Sequence, residues 1–423
     1  MRAGPQAATA AHLRTAPHRL RAGRFHRSDP YLLGRGFLLV MFATALDVWN
    51  YLDRGGALRY LVLLVPIAFL ILIRLRSPSS YIRRPLAPDR LLLALLAYGL
   101  AGTLFGILRL GTEATTLPIF LPMTIGFLHL GAIGDMTDRE ARLLLRGLEW
   151  LGILYLTLAA VVGSGIVPGL AEYRQFRNAS LVFVALGIGA AIGQRHGIRA
   201  LLILLLWGLS FSYYPSGTSV LVALAVVFTL FMVPTKPIRA RPYVLGGAFL
   251  LAVVLVLLNF GSWVQLSNDY FSLVGKSNNN STRLAIWTEG IERFQEAPAF
   301  GDGFAGPTVT TAVREEGRTQ FQLPYHNDYI LFLANGGLVG FGLLVAWLIA
   351  TEMLAVRRHA SLLEEGERGK AALLRALLVG YNAYFVTAAF NPTITGASRS
   401  ATIFAIYGLM MMIRPGREQG SPA

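Results

Sequence analysis

The sequence has no cysteine and few charged residues. Charged side chains make up 14% of the 423 residues, whereas soluble globular proteins carry about 25%. Without cysteine the chain can form no disulfide, no thiol nucleophile and no cysteine-held metal site. It also lacks the alternating segments of about ten residues that mark membrane β-barrels. Apolar residues make up 54% of the chain, and their long runs favour a bundle of membrane-spanning helices, which satisfy their own backbone hydrogen bonds.

Apolar runs long enough to cross a bilayer recur along the chain. A spanning helix needs about 20 residues, with a usual range of roughly 17–25. We predict an all-α, polytopic membrane protein with about 12 transmembrane helices and one large periplasmic loop that carries short helices. The sixth and seventh spans are short and could form one broken element. The predicted spans are 36–52, 57–73, 91–108, 117–134, 147–166, 179–193, 200–214, 217–233, 243–259, 329–350, 371–390 and 397–413.

The basic residues predict the orientation of the chain in the membrane. The net charge is +15, and most of the excess lies in short loops between apolar runs, so topology explains it better than nucleic-acid binding does. The first 35 residues are basic without an apolar run, so we expect no cleavable signal peptide. The predicted segments are a cytoplasmic basic tail (1–35), transmembrane helices 1–9 (36–259), a periplasmic loop (260–328), transmembrane helices 10–12 (329–413) and a cytoplasmic tail (414–423).

We expect the predicted periplasmic loop to contain at least one helix, and an amphipathic one should start near Ser281. Leu284, Trp287, Ile291 and Phe294 share one face at helical spacing. Such a helix would rest on the bundle or on the membrane surface.

His326 stands where this loop meets the tenth span. It is the only histidine that the predicted topology places clearly on the outer side. A neutral imidazole can accept a proton from a sugar hydroxyl near neutral pH, which suits a general base. The alternative is an interfacial histidine that only caps a helix.

Several arginines fall in the outer loops or near the outer ends of spans. Arginine is costly beside lipid unless it is paired or faces a cavity, and its planar guanidinium suits phosphate. We predict that the set lines one cavity that holds a diphosphate, although a single arginine could equally extend to lipid headgroups. The arginines are Arg54, Arg59, Arg109, Arg174, Arg177, Arg283 and Arg399.

Two other patterns carry less information. Gly301–Gly306 matches the G-x-G-x-x-G pattern, but no strand–helix–strand unit surrounds it, so we interpret it as a turn after the loop helix. Gly336 and Gly340 form G-x-x-x-G, which predicts that another helix packs closely there. The sequence shows no cluster with metal-ligand spacing.

Together, several short motifs resemble one family. In chain order they are Phe176-Arg177-Asn178-Ala179, Arg283, Trp287, Pro298, Gly301-x-Gly303, His326-Asn327 and Gly336-Gly337-x-x-Gly340. Their order, spacing and predicted side of the membrane resemble the O-antigen ligase and polymerase superfamily. One departure is Val220 after Ser216-Gly217-Thr218-Ser219, where many members carry an arginine.

The resemblance implies a metal-independent glycosyltransferase without a cofactor, in the bacterial inner membrane with its active site facing the periplasm. It implies a donor glycan linked to undecaprenyl diphosphate and, for a ligase, lipid A–core oligosaccharide as the acceptor. His326 would be the general base, and Arg283 would stabilise the developing diphosphate charge. Residues implied to bind the diphosphate or lipid are Arg174, Arg177, Arg59, Arg399, Asn178 and Asn327.

Three alternatives stay open at this point. An O-antigen polymerase would join lipid-linked repeats to each other, and a protein O-oligosaccharyltransferase would attach them to protein hydroxyls. The short tail after the last predicted span favours the ligase over the protein-directed enzymes. A lipid flippase or secondary transporter would instead use polar groups near mid-membrane, for which Asp47 and Glu149 are the candidates.

Overall fold

The computed structural model describes residues 30–46, 68, 71–72, 84–110, 117–132, 134–164, 180–213, 217–233, 280–305, 309–313, 320–325, 327–389 and 397–416. These residues are almost entirely helical. The helices are α1 (Pro30–Leu46), α2 (Ala87–Phe105), α3 (Leu117–Phe120), α4 (Met123–Gly126), α5 (Asp138–Gly163), α6 (Ser180–Gly193), α7 (Gly197–Tyr213), α8 (Gly217–Met232), α9 (Asn280–Glu296), α10 (Asp328–Glu364), α11 (Arg368–Ala388) and α12 (Ala397–Met412).

Four helical stretches among the described residues have the length and apolar composition to cross a membrane. They are Ala87–Leu108, Asp138–Val161, Asp328–Glu364 and Arg368–Ala388. Shorter apolar stretches occur at Pro30–Ala43, Leu181–Gly193, Gly197–Leu209 and Ser400–Met412. The prediction of a helical, membrane-embedded protein is confirmed, whereas the count of twelve spans stays a prediction. Spans two and nine (57–73 and 243–259) lie outside the described residues, apart from 68, 71 and 72.

The predicted fourth span (117–134) is not one helix. Its residues form α3, α4 and a 3₁₀ turn at Phe127–Gly131. Pro122 lies between the two short helices, and proline lacks the N–H that a continuing helix would need. The hydropathy of the segment is that of a span, but its prolines prevent a regular helix. By contrast, the predicted sixth and seventh spans are two separate helices, α6 and α7, joined by a tight turn in which Arg195 has a φ of 60°.

The core is built around α11, which packs against α6, α8, α10 and α12. The ring of Trp347 on α10 lies 5.4 Å from that of Tyr407 and 5.6 Å from that of Phe404 on α12, and 6.1 Å from that of Phe385 on α11. These fully buried rings join three helices through the edge and tilted contacts that aromatic pairs prefer.

A buried polar cluster ties the start of α2 to α12. The hydroxyl of Tyr407 donates to Oδ1 of Asp89 at 2.5 Å, and Nε2 of His129 lies 3.2 Å from the same oxygen. Nδ1 of His129 is 2.6 Å from the carbonyl oxygen of Gly126. The buried carboxylate therefore has partners from two other segments, α12 and the 3₁₀ turn at Phe127–Gly131, as a buried charge requires.

Helix α10 is sharply kinked at Gly337. The helix is 37 residues long, about 55 Å at 1.5 Å per residue, whereas the hydrocarbon layer is about 30 Å thick. Gly337 has φ 58° and ψ −161°, a conformation that is almost restricted to glycine. The kink separates 328–336 from the rest of α10, and Tyr329 in that first part donates to the carbonyl of Phe385 near the end of α11.

The predicted outer loop also contains a strand pair. Strands β1 (Val309–Val313) and β2 (Gln320–Pro324) are antiparallel, with Val309 opposite Pro324 and Val313 opposite Gln320. The sequence analysis predicted short helices alone in this loop. Helix α9 is where it was predicted, and the hairpin leads from the turn after α9 towards the start of α10.

We predict that Gly337→Ala destabilises the protein. A methyl group at 337 would come within 2.6 Å of the Ala299 backbone, and the backbone strain alone costs about 1–3 kcal/mol. The apparent melting temperature in detergent should fall clearly. Gly342→Ala is the matched control, because it lies in the same helix and its methyl group would meet no atom within 4 Å. Equal melting temperatures for the two variants would contradict the role assigned to the kink.

Candidate active site

The turn between α9 and β1 completes the hydrogen bonding of the kink in α10. We call residues 298–305 the docking turn. The N–H of Leu338 donates to the carbonyl of Pro298 at 2.9 Å, and the N–H of Val339 donates to that of Ala299 at 3.1 Å. In an unbroken helix these N–H groups would bond four residues back within α10. The docking turn therefore replaces the acceptors that the kink at Gly337 removes.

The carbonyl groups just before the kink also accept hydrogen bonds from donors outside α10. The N–H of Phe304 donates to the carbonyl of Asn335 at 2.9 Å. The hydroxyl of Tyr98 on α2 donates to the carbonyl of Gly336 at 3.1 Å and to that of Phe300 at 2.8 Å. Unpaired backbone groups are costly away from water. The kink is stable because the backbone groups of α10 that lose partners within the helix gain partners in the docking turn and in α2.

Phe304 anchors the docking turn in the bundle. Its ring is buried and lies 5.0 Å from the ring of Phe120 and 5.4 Å from that of Phe332. On the other side, a methyl group at Gly102 of α2 would overlap the carbonyl oxygen of Gly303. The described part of the Gly301–Gly306 pattern, residues 301–305, is a turn, as predicted. Gly301 allows close approach to the backbone of α10, and Gly303 has a φ of 65°. The G-x-x-x-G of α10 faces Phe304 and Tyr98, so its neighbours are this turn and α2.

Helix α9 holds the residues on either side of His326. The indole N–H of Trp287 donates to the carbonyl of Tyr325 at 2.8 Å. One turn further along, a methyl group at Gly290 would meet Ile330 at 2.5 Å and Tyr325 at 2.8 Å. Residues three and four apart share one face of a helix, so one face of α9 fixes the chain before and after His326.

The buried face of α9 differs from the predicted one. The sequence analysis placed Leu284, Trp287, Ile291 and Phe294 on the packed face, but Ile291 is 37% exposed and Ile286 is buried. Burial is centred on Gly290, where the missing side chain lets the 325–330 segment approach. A hydrophobic pattern cannot predict this contact, because the contact depends on the missing side chain of a glycine.

Asn327 is the N-cap of α10. Its side-chain oxygen accepts from the N–H groups of Tyr329 at 3.0 Å and Ile330 at 3.1 Å. This is the usual way of satisfying the free donors of a first helical turn. The sequence analysis predicted Asn327 to bind substrate, and the cap leaves only the amide nitrogen of its side chain for that purpose.

Tyr325 is an anchor rather than an acid–base group. Its side chain is fully buried. Burial raises the pKa of Tyr325 to about 12, with smaller contributions from the nearby charges, including Arg293, which lowers it. The phenol stays protonated at physiological pH, so it does not compete with His326 for the role of base.

Arg283 lies on the same face of α9 as Trp287, one turn closer to the start of the helix. It is partly buried, and burial lowers the pKa of its guanidinium. No carboxylate among the described residues forms an ion pair with it. Arg293, two to three turns further along α9, differs because it pairs with Glu289 at 3.1 Å. A partly buried arginine without an acidic partner is suited to bind an anionic ligand.

Most of the other predicted site residues cannot be placed. His326, Arg59, Arg174, Arg177 and Asn178 lie outside the described residues. Arg399 lies in the first turn of α12, and its side chain is outside the description. The prediction that the outer arginines line one cavity with His326 therefore stays a prediction. Within the described parts of the chain, no group of three or more His, Asp or Glu residues has the arrangement of a metal site.

Glu149, a residue that a transporter would need at mid-membrane, is engaged in a fixed network. Its buried carboxylate accepts from the side chain of Gln194 at 3.0 Å and from Arg199 at 3.2 Å, and His196 lies 3.0 Å away. Its partners belong to the turn between α6 and α7 and to the first turn of α7. The carboxylate of Glu149 therefore holds the turn between α6 and α7 in place. Asp47, the other candidate, lies outside the described residues.

Several site-forming residues were missed by the sequence analysis. Tyr98 and Gly102, one turn apart on α2, hold the docking turn, and Gly290 seats the segment around His326. Nothing distinguishes Tyr98 and Gly102 from other residues of an apolar span. Their role depends on a segment some 200 positions away in the sequence.

The comparison with protein families agrees with this site. Residues 200–345 match the family model described as O-antigen ligase. The matched region covers roughly a third of the chain and includes Arg283, the docking turn, His326 and the kink of α10. A search of curated proteins gave no match. The resemblance to the O-antigen ligase superfamily is thereby confirmed, and it supports glycosyl transfer of the ligase and polymerase kind by a membrane-embedded enzyme.

We predict that replacements of Asn327 separate its two roles. Asn327→Ala removes the cap and should lower the free energy of unfolding by about 1 kcal/mol. Asn327→Asp keeps a good capping oxygen and should retain stability. If the amide nitrogen also contacts the donor, Asn327→Asp should still raise the KM for donor. Melting temperatures and donor KM for the two variants, measured in the same detergent, test this. A less stable Asn327→Asp variant would contradict the capping role.

Proposed function

We propose that this member of the O-antigen ligase superfamily transfers an O-antigen glycan from undecaprenyl diphosphate to lipid A–core oligosaccharide. The reaction takes place at the periplasmic face of the bacterial inner membrane. The family match supports transfer from a lipid-linked glycan to a lipid acceptor. The donor contains its own activated leaving group, so the reaction needs no nucleotide.

The observation that carries this proposal is the arrangement of α9. One face of this helix presents Arg283, a partly buried arginine without a carboxylate partner among the described residues, and holds the carbonyl of Tyr325 through Trp287. His326 follows Tyr325 directly in the chain. A cation suited to a diphosphate is thus on the same helix face as the anchor for the proposed base.

The proposed reaction is a single displacement at the anomeric carbon. A hydroxyl oxygen of the acceptor sugar bonds to that carbon as the bond to the diphosphate oxygen breaks. His326 accepts the hydroxyl proton, and undecaprenyl diphosphate leaves with the electron pair. Arg283 stabilises the negative charge that develops on the leaving oxygen, which is the type of electrostatic stabilisation that contributes most in many enzymes.

The remaining predicted residues would hold the rest of the donor. We propose that Arg174, Arg177, Arg59 and Arg399, together with Asn178, bind the diphosphate or the adjoining lipid. Arginine is suited to this because its guanidinium forms two parallel hydrogen bonds to phosphate oxygens.

Reconstitution with a purified lipid-linked glycan separates the ligase from the polymerase. The purified protein in liposomes should transfer the glycan to added lipid A–core. Growth of the glycan on its donor, without transfer to lipid A–core, would show a polymerase. A product on a protein hydroxyl would show a protein-directed enzyme. Movement of donor across the bilayer without any new glycosidic bond would overturn enzymatic function altogether.

We predict that His326→Ala lowers the turnover rate by about 10²–10⁴-fold, the usual contribution of a general base. The KM for donor should change little, because the arginines bind the diphosphate. The measurement is transfer rate against donor concentration, with purified variants of equal melting temperature. Near-normal turnover would disprove the assignment of the base. The search would then move to Glu315 and Glu316, and to Asp328, which is fully buried in the first turn of α10.

A separate prediction concerns Arg283. Arg283→Ala should lower turnover by about 10²-fold, as the loss of one electrostatic stabiliser commonly does. Arg283→Lys should recover only part of this, since a point charge lacks the guanidinium geometry. Arg293→Lys is the matched control, because this arginine of the same helix already pairs with Glu289. An equal loss in the control would indicate that any cationic change in α9 disturbs the site through its packing.

A further inference from the structure

The docking turn and the kink of α10 together present an apolar surface. Phe300 is 60% exposed, and Leu338 and Val339, directly after the kink, are 58% and 37% exposed. Pro298 and Ala299 beside them are also exposed. In a loop surrounded by water, such a group of exposed apolar residues would favour aggregation. Contiguous apolar patches of this kind mark contact with a partner protein or with the membrane.

The position of this surface along α2 indicates what covers it. The candidate span that contains α2 runs from Ala87 to Leu108. Gly102, which touches Gly303 of the docking turn, is six residues before the end of that span, or about 9 Å at 1.5 Å per residue. Tyr98, which donates to the carbonyl of Phe300, is close to the middle of the span.

The surface of α2 at the same level is itself apolar and exposed. Leu104 and Phe105 are each 56% exposed, and Leu100 is 39% exposed. In a span of this composition, side chains of this kind face acyl chains. Phe300 therefore lies at the level of exposed apolar side chains of a helix with the composition of a membrane span.

Several backbone groups of the docking turn have hydrogen-bond partners within the protein. Non-helical backbone is tolerated at membrane depth only where its polar groups find partners in the protein. Phe300 accepts from both Tyr98 and the N–H of Gly303, at 2.8 and 3.0 Å. The N–H groups with partners within the protein are those of Gly301, Gly303, Phe304 and Ala305 in the turn and of Leu338 and Val339 in α10.

The docking turn also contains one charged residue, Asp302, which is exposed. The carboxylate of Asp302 accepts from the N–H of Phe304 at 2.9 Å. Asp302 is also close enough to the buried phenol of Tyr325 to act on it electrostatically. The carboxylate of Asp302 therefore lies near both Tyr98 and Tyr325, and its hydrogen bond to the backbone of the turn offsets part of the cost of its charge.

We propose that the docking turn is inserted into the lipid layer, with Phe300, Leu338 and Val339 in contact with acyl chains. The partner of this surface is the membrane in which the enzyme resides. The docking turn, which was predicted as part of a loop outside the membrane, therefore lies in the bilayer beside α2. This inference rests on packing and exposure alone and does not depend on the proposed reaction.

The absence of cysteine from the chain allows a clean labelling experiment. Ala299→Cys and Phe300→Cys each introduce one thiol on the surface, which is labelled with a small fluorophore. The full-length protein is then placed in nanodiscs of phosphatidylethanolamine and phosphatidylglycerol. Quenching by aqueous iodide and by lipids with a nitroxide on the acyl chain is measured. Leu104→Cys on α2 is the lipid-facing control, and Glu292→Cys on the exposed side of α9 is the water-facing control.

Both test variants should resemble Leu104→Cys. Their iodide quenching should be at least about tenfold weaker than for Glu292→Cys, since tenfold corresponds to only about 1.4 kcal/mol and a charge in the bilayer costs more than that. The acyl-chain nitroxide should quench them strongly. Iodide quenching equal to that of Glu292→Cys, without nitroxide quenching, would overturn the proposal. Ala299→Cys changes the side chain little, so it keeps the test valid if Phe300→Cys folds poorly.

Discussion

At Gly337 a helix long enough to cross a membrane stops being regular, and the groups released there bond to another part of the chain. Two N–H groups of α10 donate to the carbonyls of Pro298 and Ala299, and the carbonyl of Asn335 accepts from Phe304. The rest of the site depends on this exchange. It fixes the docking turn against α10, and so it fixes where α9 ends and how α9 approaches the 325–330 segment. Without that approach, neither Trp287 nor Gly290 could hold the residues around His326.

Much of the helical architecture follows from hydropathy, because long apolar runs in a membrane protein have few other options. The predicted eighth span (217–233) and the start of the predicted tenth (329) agree with α8 and α10 to within one residue. Departures occur where a single residue overrides the average over a window. Pro122 breaks the predicted fourth span, and Gly337 breaks α10 without leaving any trace in hydropathy.

The site was predictable to a smaller extent, for a related reason. Arg283, Trp287 and the glycine motifs were identified through resemblance, but their roles depend on contacts between distant segments. Trp287 hydrogen-bonds to a carbonyl 38 residues away, and Tyr98 to one 202 residues away. A sequence pattern reports neighbours within a few positions, so it identifies a helix face but not the segment that the face meets.

The motif residues near His326 differ in what they can contribute to chemistry. Gly301 and Gly337 allow close backbone approach, Gly336 makes room for the ring of Phe304, and Asn327 uses its side-chain oxygen for the cap. Arg283 is different, because the described structure gives its guanidinium no acidic partner although it is partly buried. Among the described residues, most of those by which the chain resembles the O-antigen ligases thus take part in packing or in backbone hydrogen bonding. The same contacts of α9 and the docking turn hold Arg283 and the residues on either side of His326, whatever chemistry these two residues perform.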